Sequence, residues 1–356
     1  MKQGLRYTII FLFLFILVLA TYLVYLLVDY KRLPDKQELA IVNQKTSLTS
    51  PKQTYQVTSF NIGYAAYPAD YTFFMDGGKY SRAYSQENVL DNLSGIANTL
   101  ETLHSDAFLL QEVDTWAHRS YKINEVAYLS DALPTYHYTF GQNYDSSYLF
   151  YPITRPIGRS QSGLFTLSLF PLEKSTRFSL PIETNFNKYF DLDRAFTVTQ
   201  TTFDHHPITL INVHLSAFTK DTSVLDAQIK KLAALMTSEY EAGRSVIVGG
   251  DFNHDLLGNS PAIFETSDTI QTWTQPFPEN LLPDHFSIAK TGLVEAKIPS
   301  VRENGVPYDQ KTSFVSLIDG FLVSDNIEVQ QVVVSDLEFA NSDHNPVTLK
   351  FTFKSE

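Results

Sequence analysis

The segment Ser245-Val-Ile-Val-Gly-Gly-Asp-Phe-Asn253 decides the fold, because an apolar, strand-like run ends there on a carboxylate and an amide. Two later segments repeat the pattern: Ser316-Leu-Ile-Asp-Gly-Phe-Leu-Val323 and Ser342-Asp-His-Asn-Pro-Val347. A carboxylate is costly where a buried strand meets solvent, unless a cation or a hydrogen-bond donor binds it. Three such strand ends in series therefore predict one shared site.

Three earlier strand ends carry the same kind of residue: Ser59-Phe-Asn61, Leu110-Gln-Glu112 and Asn212-Val-His214. The ordered set of six resembles the endonuclease/exonuclease/phosphatase superfamily, over about residues 55–353. A single motif of this kind is weak evidence, but six in the family's order are a strong signal. The resemblance implies a metal-dependent phosphoesterase.

Two helices stand out among many strands. The first begins near Ser85 and spaces apolar residues by three and four up to Leu103, and the second runs from about Ser223 to Tyr240. Each helix leads into an apolar strand. Helix-linked strand sets predict the α/β class, as a two-sheet β-sandwich flanked by helices in four layers, α/β/β/α.

The resemblance implies a role for each catalytic candidate. Asp251 orients or deprotonates the attacking water, and Asn253 fixes its geometry and touches the phosphate. His214 contacts the scissile phosphate, and His344 does so from the opposite side, oriented by Asp319 as a carboxylate–imidazole pair. A lone histidine in either place would more often be a structural residue.

A metal site is implied at Asn61, Glu112 and Asp343. These residues offer hard oxygen ligands, which suit Mg²⁺ or Mn²⁺. Taken alone, Asn61 would more often be a turn residue and Glu112 a solvated strand end.

Arg194 is a candidate for substrate binding, because a guanidinium group matches the geometry of a phosphate. A surface ion pair with Asp191 or Asp193 explains this arginine equally well.

Residues 64–84 are rich in aromatic side chains, and residues 141–161 form a loop that carries tyrosine and arginine; both segments are expected to rim the site. Aromatic rims can stack bases, grip sugars or enter a membrane interface, although about half of these rings are expected simply to pack on one another.

Residues 7–28 form an almost wholly apolar run whose 22 residues would make a helix of roughly 33 Å, enough to cross a bilayer. A cleaved signal peptide is the alternative, but the run is longer than usual and lacks a small-residue cleavage site. We therefore divide the chain into a transmembrane anchor (1–30), a linker (31–53) and a catalytic domain (54–356). Basic residues flank both sides of the anchor, so its orientation is open, and we favour a single-pass cell-membrane protein whose catalytic domain is extracytoplasmic.

The chain has 356 residues, a net charge of −12 and no cysteine. Its acidity lowers the expectation of a nuclease, yet nucleic acid remains a possible substrate because a divalent cation screens an acidic site. We favour a phosphodiester or phosphomonoester of a lipid or surface polymer. A metal-dependent nuclease is the first alternative, and a non-catalytic surface binding module on the same fold is the second. No protein partner is predicted.

Overall fold

The computed structural model describes residues 2–44, 51–217, 222–266 and 272–354. Its helices are α1 (Lys2–Asp29), α2 (Gln86–Leu103), α3 (Glu125–Ala132), α4 (Thr222–Glu241), α5 (Ser260–Phe264) and α6 (Leu293–Ala296). Its strands are β1 (Gln37–Glu38), β2 (Ile41–Val42), β3 (Tyr55–Asn61), β4 (Ala107–Ala117), β5 (His137–Asp145), β6 (Ser160–Ser168), β7 (Leu172–Ser179), β8 (Ala195–Phe203), β9 (His206–His214), β10 (Ser245–Asp251), β11 (Phe286–Ile288), β12 (Val301–Arg302), β13 (Val315–Ser316), β14 (Asp319–Ser324), β15 (Ile327–Val334) and β16 (Val347–Phe353).

Two mixed seven-stranded sheets pack face to face. One has the order β1-β7-β8-β9-β10-β14-β11, and the other has the order β15-β16-β3-β4-β6-β5-β2. Alternate side chains of β4 pack into different layers. Leu109 belongs to the core between the sheets, whereas Phe108 and Leu110 pack on the outer side with α2. The predicted α/β sandwich with outer helices is confirmed.

Both predicted long helices are present. The Ser85 side chain accepts a hydrogen bond from the Asn88 amide and caps α2, whose apolar face is buried through Leu93 and Ile96. In α4, Leu232 and Met236 are buried against the outer face of the first sheet. Each helix thus covers the outer face of one sheet, which leaves the edge of the sandwich open for the site.

Residues 31–44 lie within the segment that was expected to be a free linker, but they do not behave as one. β1 pairs with β7 and β2 pairs with β5, so this short segment adds an edge strand to each sheet. The Arg177 guanidinium, which is buried, also donates to the Pro34 carbonyl at 3.0 Å. The expectation of a spacer failed because two-residue strands have no periodicity to detect. The domain division itself stays a prediction.

The segment 141–161, expected to be a loop, is partly strand. β5 continues to Asp145 and β6 begins at Ser160, so the connection is residues 146–159. Helix α1 is long and apolar enough to span a membrane, with its apolar side chains exposed along most of its length.

Candidate active site

The first sheet brings three candidate residues side by side. In parallel β9 and β10, Asp251 lies opposite His214, and in antiparallel β14, Asp319 lies opposite Asp251. In the second sheet, Asn61 ends β3 opposite Gln111 of parallel β4. The predicted residues of both sheets therefore meet at one edge of the sandwich.

Asp251 is the centre of this group. Its Oδ2 lies 3.0 Å from Asn61 Nδ2, 3.5 Å from His214 Nε2 and 3.8 Å from His344 Nε2. Its Oδ1 accepts the backbone N–H of Asn253 at 2.8 Å. Burial, reinforced by the charge of Asp319, raises the pKa of Asp251 to about 6. A carboxylate fixed at both oxygens, with a pKa near neutrality, is suited to accept a proton.

The surroundings of the two histidines shift their pKa values in opposite directions. His344 Nδ1 lies 2.8 Å from Asp319 Oδ2, and although burial opposes the charge, Asp319 raises the pKa of His344 to about 10. Burial, followed by the charge of Arg194, lowers the pKa of His214 well below its ordinary value. These shifts favour an imidazolium at His344 and a neutral imidazole at His214, and such divergence distinguishes a proton donor from its neighbours.

Glu112 is aimed into the site by a β-bulge. The pairing of β4 with β6 shifts register between Leu110 and Val113, and the Glu112 backbone has φ 56°. A bulge re-aims a side chain, and the left-handed region is costly for a non-glycine residue. The side chain ends with Oε1 3.9 Å from His214 Nε2. Glu112, which the sequence places at a strand end, thus has a strained backbone and a carboxylate that is directed into the site.

Asp343 comes close to the end of β3. The hydroxyl of Ser342 donates to the Asn61 carbonyl at 2.8 Å, and a Cβ added at Gly63 would lie 2.7 Å from Asp343 Oδ1. Burial, followed by the charge of Asp343, raises the pKa of Glu112 to about 7. Converging carboxylates with hard oxygen atoms fit a divalent cation, which would relieve their repulsion.

Asp251, Asp319 and His344 also form a compact group, with one possible ligand atom from each within 4.8 Å of the others. However, His344 and Asp319 already bind each other. We therefore favour proton transfer, rather than metal binding, as the role of these three residues. Asn61, Glu112 and Asp343 are kept as the predicted cation ligands. These roles, like those of all the candidate site residues, stay predictions.

Arg194 and Asn253 share an acceptor. Arg194 Nη1 and Asn253 Nδ2 each donate to the Leu215 carbonyl at 2.9 Å. Both residues are buried, with φ values of 45° and 49°, and such strain clusters at functional sites. Arg194 also lies 3.7 Å from Asp191 Oδ1, so the ion pair that was the alternative is present. Its burial nevertheless places the guanidinium beside His214 rather than on the surface.

Two contributors, Arg119 and Asn304, were not predicted from the sequence. The Arg119 guanidinium carbon lies 3.2 Å from the centre of the Tyr64 ring, and Asn304 Nδ2 donates to Asp343 Oδ2. Neither Arg119 nor Asn304 follows an apolar run, so strand-end patterns could not reveal them. Tyr64 belongs to the aromatic segment, where its ring contacts Tyr67 and begins a chain of packed rings.

The sequence profile of the Endonuclease/Exonuclease/phosphatase family matches residues 59–344. The chain belongs to this family. A search of curated proteins found no significant match.

Solved structures share the fold at low sequence identity. An endonuclease/exonuclease/phosphatase from Beutenbergia cavernae is 16% identical with a TM-score of 0.55, over 85% of this chain and 72% of that one. The human Nocturnin catalytic domain with bound sulfate is 16% identical with a TM-score of 0.51, over 89% and 97%. D. rerio TDP2 with a single-strand DNA product is 14% identical with a TM-score of 0.51, over 85% and 100%.

Proposed function

We propose that this protein is a membrane-anchored, Mg²⁺-dependent phosphoesterase that hydrolyses a phosphodiester or phosphomonoester of a lipid or surface polymer. The observation that carries the proposal is Asp251, whose Oδ2 lies within 3.8 Å of Asn61, His214 and His344. Family membership and α1 support the two parts of the proposal, hydrolysis and anchoring.

In this mechanism Asp251 accepts a proton from water at Oδ2. Asn61 and the Asn253 amide hold its two oxygens, so the carboxylate stays oriented while the charge changes. His344, kept protonated by Asp319, donates to a phosphoryl oxygen or to the leaving group. Neutral His214 and the Arg194 guanidinium contact the phosphate from the side of the first sheet.

Glu112, Asp343 and Asn61 would hold Mg²⁺ or Mn²⁺, which stabilises charge on the phosphoryl oxygens when it is bound. Asn61 Oδ1 already accepts the Gly63 N–H at 3.0 Å, but a carbonyl oxygen keeps a second lone pair. The same side chain thus links the predicted cation ligands to the predicted base.

The test uses the full chain in detergent with bis-p-nitrophenyl phosphate, plasmid DNA and phospholipid vesicles, each with Mg²⁺ or excess EDTA. We expect Mg²⁺-dependent turnover of the small ester and of vesicle phospholipid. Full activity in EDTA would contradict the role of the cation. Turnover of plasmid in preference to both other substrates would favour the nuclease alternative. A folded protein that turns over none of the three substrates would favour the non-catalytic binding module.

A further inference from the structure

The mouth of the site is surrounded by four connections, which we call the rim: residues 62–84, 146–159, 180–194 and 303–314. Residues 62–84 follow Asn61, and residues 180–194 lead into Ala195, which pairs with His214. Residues 303–314 carry Asn304, which contacts Asp343. Arg155 joins 146–159 to 62–84 by donating to the Ala83 carbonyl at 3.0 Å. All four connections therefore lie at the site end of the sandwich.

Most of the strongly exposed large apolar side chains of the domain lie on the rim. Beyond α1, the described residues include seven large apolar side chains that are at least 45% exposed, and only Val294 lies off the rim. The other six are Met75, Phe150, Tyr151, Ile153, Phe186 and Val306. Ile153 is 86% exposed. A soluble protein seldom gathers such side chains at one end without a partner that covers them.

Helix α1 is bound directly to the rim. Tyr22 donates from its hydroxyl to the Tyr148 carbonyl at 3.2 Å, and the Tyr148 amide donates to the Tyr25 hydroxyl at 2.9 Å. Phe150 packs edge-on against Tyr22, with ring centres 5.3 Å apart. Just after α1, the Tyr30 hydroxyl donates to Asp193 Oδ1, in the rim connection 180–194, at 3.1 Å.

These contacts fix the height of the rim relative to a membrane. Tyr22 lies seven residues before Asp29, the end of α1, or roughly 10 Å along the helix. If residues 7–28 span a bilayer, Tyr22 lies roughly 9 Å inward from the end of that span, so Tyr148 and Phe150 reach the acyl chains just below the interface. A cleft of about 540 Å³ between α1 and this loop is lined almost wholly by apolar atoms, including those of Leu17, Val18 and Phe150.

We propose that the exposed apolar side chains of the rim insert into the bilayer that holds α1, and that the site thereby opens onto phosphate esters of lipid headgroups. The inference rests on the proposed anchoring and narrows the proposed substrate to a lipid. It holds for whichever side of the membrane carries the domain, because the contacts between α1 and the rim do not depend on orientation.

The test uses the full chain reconstituted in phosphatidylglycerol/phosphatidylcholine vesicles. Because the sequence has no cysteine, Ile153→Cys, Met75→Cys and Phe186→Cys each give a single site for an environment-sensitive fluorophore. His205→Cys is the matched control, since His205 is exposed at the turn before β9, roughly 30 Å along the chain direction of that strand from His214.

We expect blue-shifted emission, and quenching by headgroup-proximal nitroxide lipids, at the three rim positions but not at residue 205. Quenching by aqueous iodide that is equal at all four positions would overturn the proposal. This readout needs no catalysis, so it can fail or succeed independently of the proposed hydrolysis. Failure of the chain to co-float with vesicles would instead overturn the anchoring on which the inference rests.

A second measurement connects the surface to substrate choice. Ile153→Asp combined with Met75→Asp should lower turnover of vesicle phospholipid by about tenfold or more, because exposed apolar side chains would no longer enter the lipid. Turnover of bis-p-nitrophenyl phosphate should stay unchanged. Equal losses on both substrates would show damage to the site and contradict the inference, as would unchanged turnover on vesicles.

Discussion

Replacing Arg119 by methionine should destabilise the domain strongly, because it would strand a buried carboxylate. Arg119 Nε and Nη2 donate to the two oxygens of Asp114 at 3.1 and 2.9 Å. The Ser120 hydroxyl donates to the same carboxylate at 2.7 Å, and the Asp114 side chain is fully buried. Removing one partner of a buried ion pair costs about 3–5 kcal/mol, since the remaining charge is left uncompensated. Loss of the stacking on Tyr64 should add to this cost.

The chain offers a matched control in Arg159→Met. Arg159 Nη2 lies 3.0 Å from Asp145 Oδ1, which is nearly the same separation, but its side chain is 38% exposed. A pair of this kind contributes about 1 kcal/mol or less. The assay is urea unfolding of the full chain in a fixed detergent, followed by tryptophan fluorescence. Adding Asp114→Asn to Arg119→Met should recover part of the loss, because the stranded charge is removed. Similar losses for the two single arginine variants would show that burial of the ion pair does not set its contribution.

Two further predictions concern stability. Asn212 bridges the two sheets: its side chain accepts a hydrogen bond from Gln111 at 2.8 Å and donates one to the Leu110 carbonyl at 3.0 Å. Asn212→Ala should therefore lower the free energy of unfolding by about 1–3 kcal/mol, because both partners would lose a hydrogen bond. An unchanged urea midpoint would count against this bridge. Burial, only partly offset by the Tyr30 hydrogen bond, raises the pKa of Asp193 from 3.8 to about 6. Between these two pKa values the folded state binds more protons than the unfolded state. Ionised Asp193 therefore destabilises the folded state, and this destabilisation is absent below about pH 4 and complete above about pH 6. Asp193→Asn should therefore raise the thermal midpoint of unfolding at pH 7.5 but not at pH 4. Asp131→Asn, at an exposed position, is the control. A gain of the same size at both pH values would contradict the raised pKa of Asp193.

Much of the fold could be predicted because its main elements have strong local signals. Helix α2 has both an N-cap and an apolar face, and β10 is a continuous apolar run that ends at Asp251. β1 and β2 could not be predicted, since two residues carry no period and their pairing depends on strands far away in the sequence. Strand β7, with Glu173 and Lys174 exposed, alternates too irregularly to stand out.

The candidate site shows the same division. Residues at strand ends, such as Asp251 and His214, were predicted and do come together, because strand register fixes where they end. Arg119 and Asn304 reach the site from connections, where position depends on tertiary packing. The left-handed backbone of Glu112 and the contact between Tyr22 and Phe150 likewise have no signature in local sequence.

The proposed role of Asp251 as the base of a phosphoesterase is tested by the initial rate of Asp251→Asn on bis-p-nitrophenyl phosphate with saturating Mg²⁺. The substitution keeps the size of the side chain and leaves its oxygen to accept the Asn253 amide. We expect a loss of at least about a hundredfold, as removal of a general base produces, with Asp131→Asn unchanged. A folded Asp251→Asn protein that retains the full rate would contradict the account.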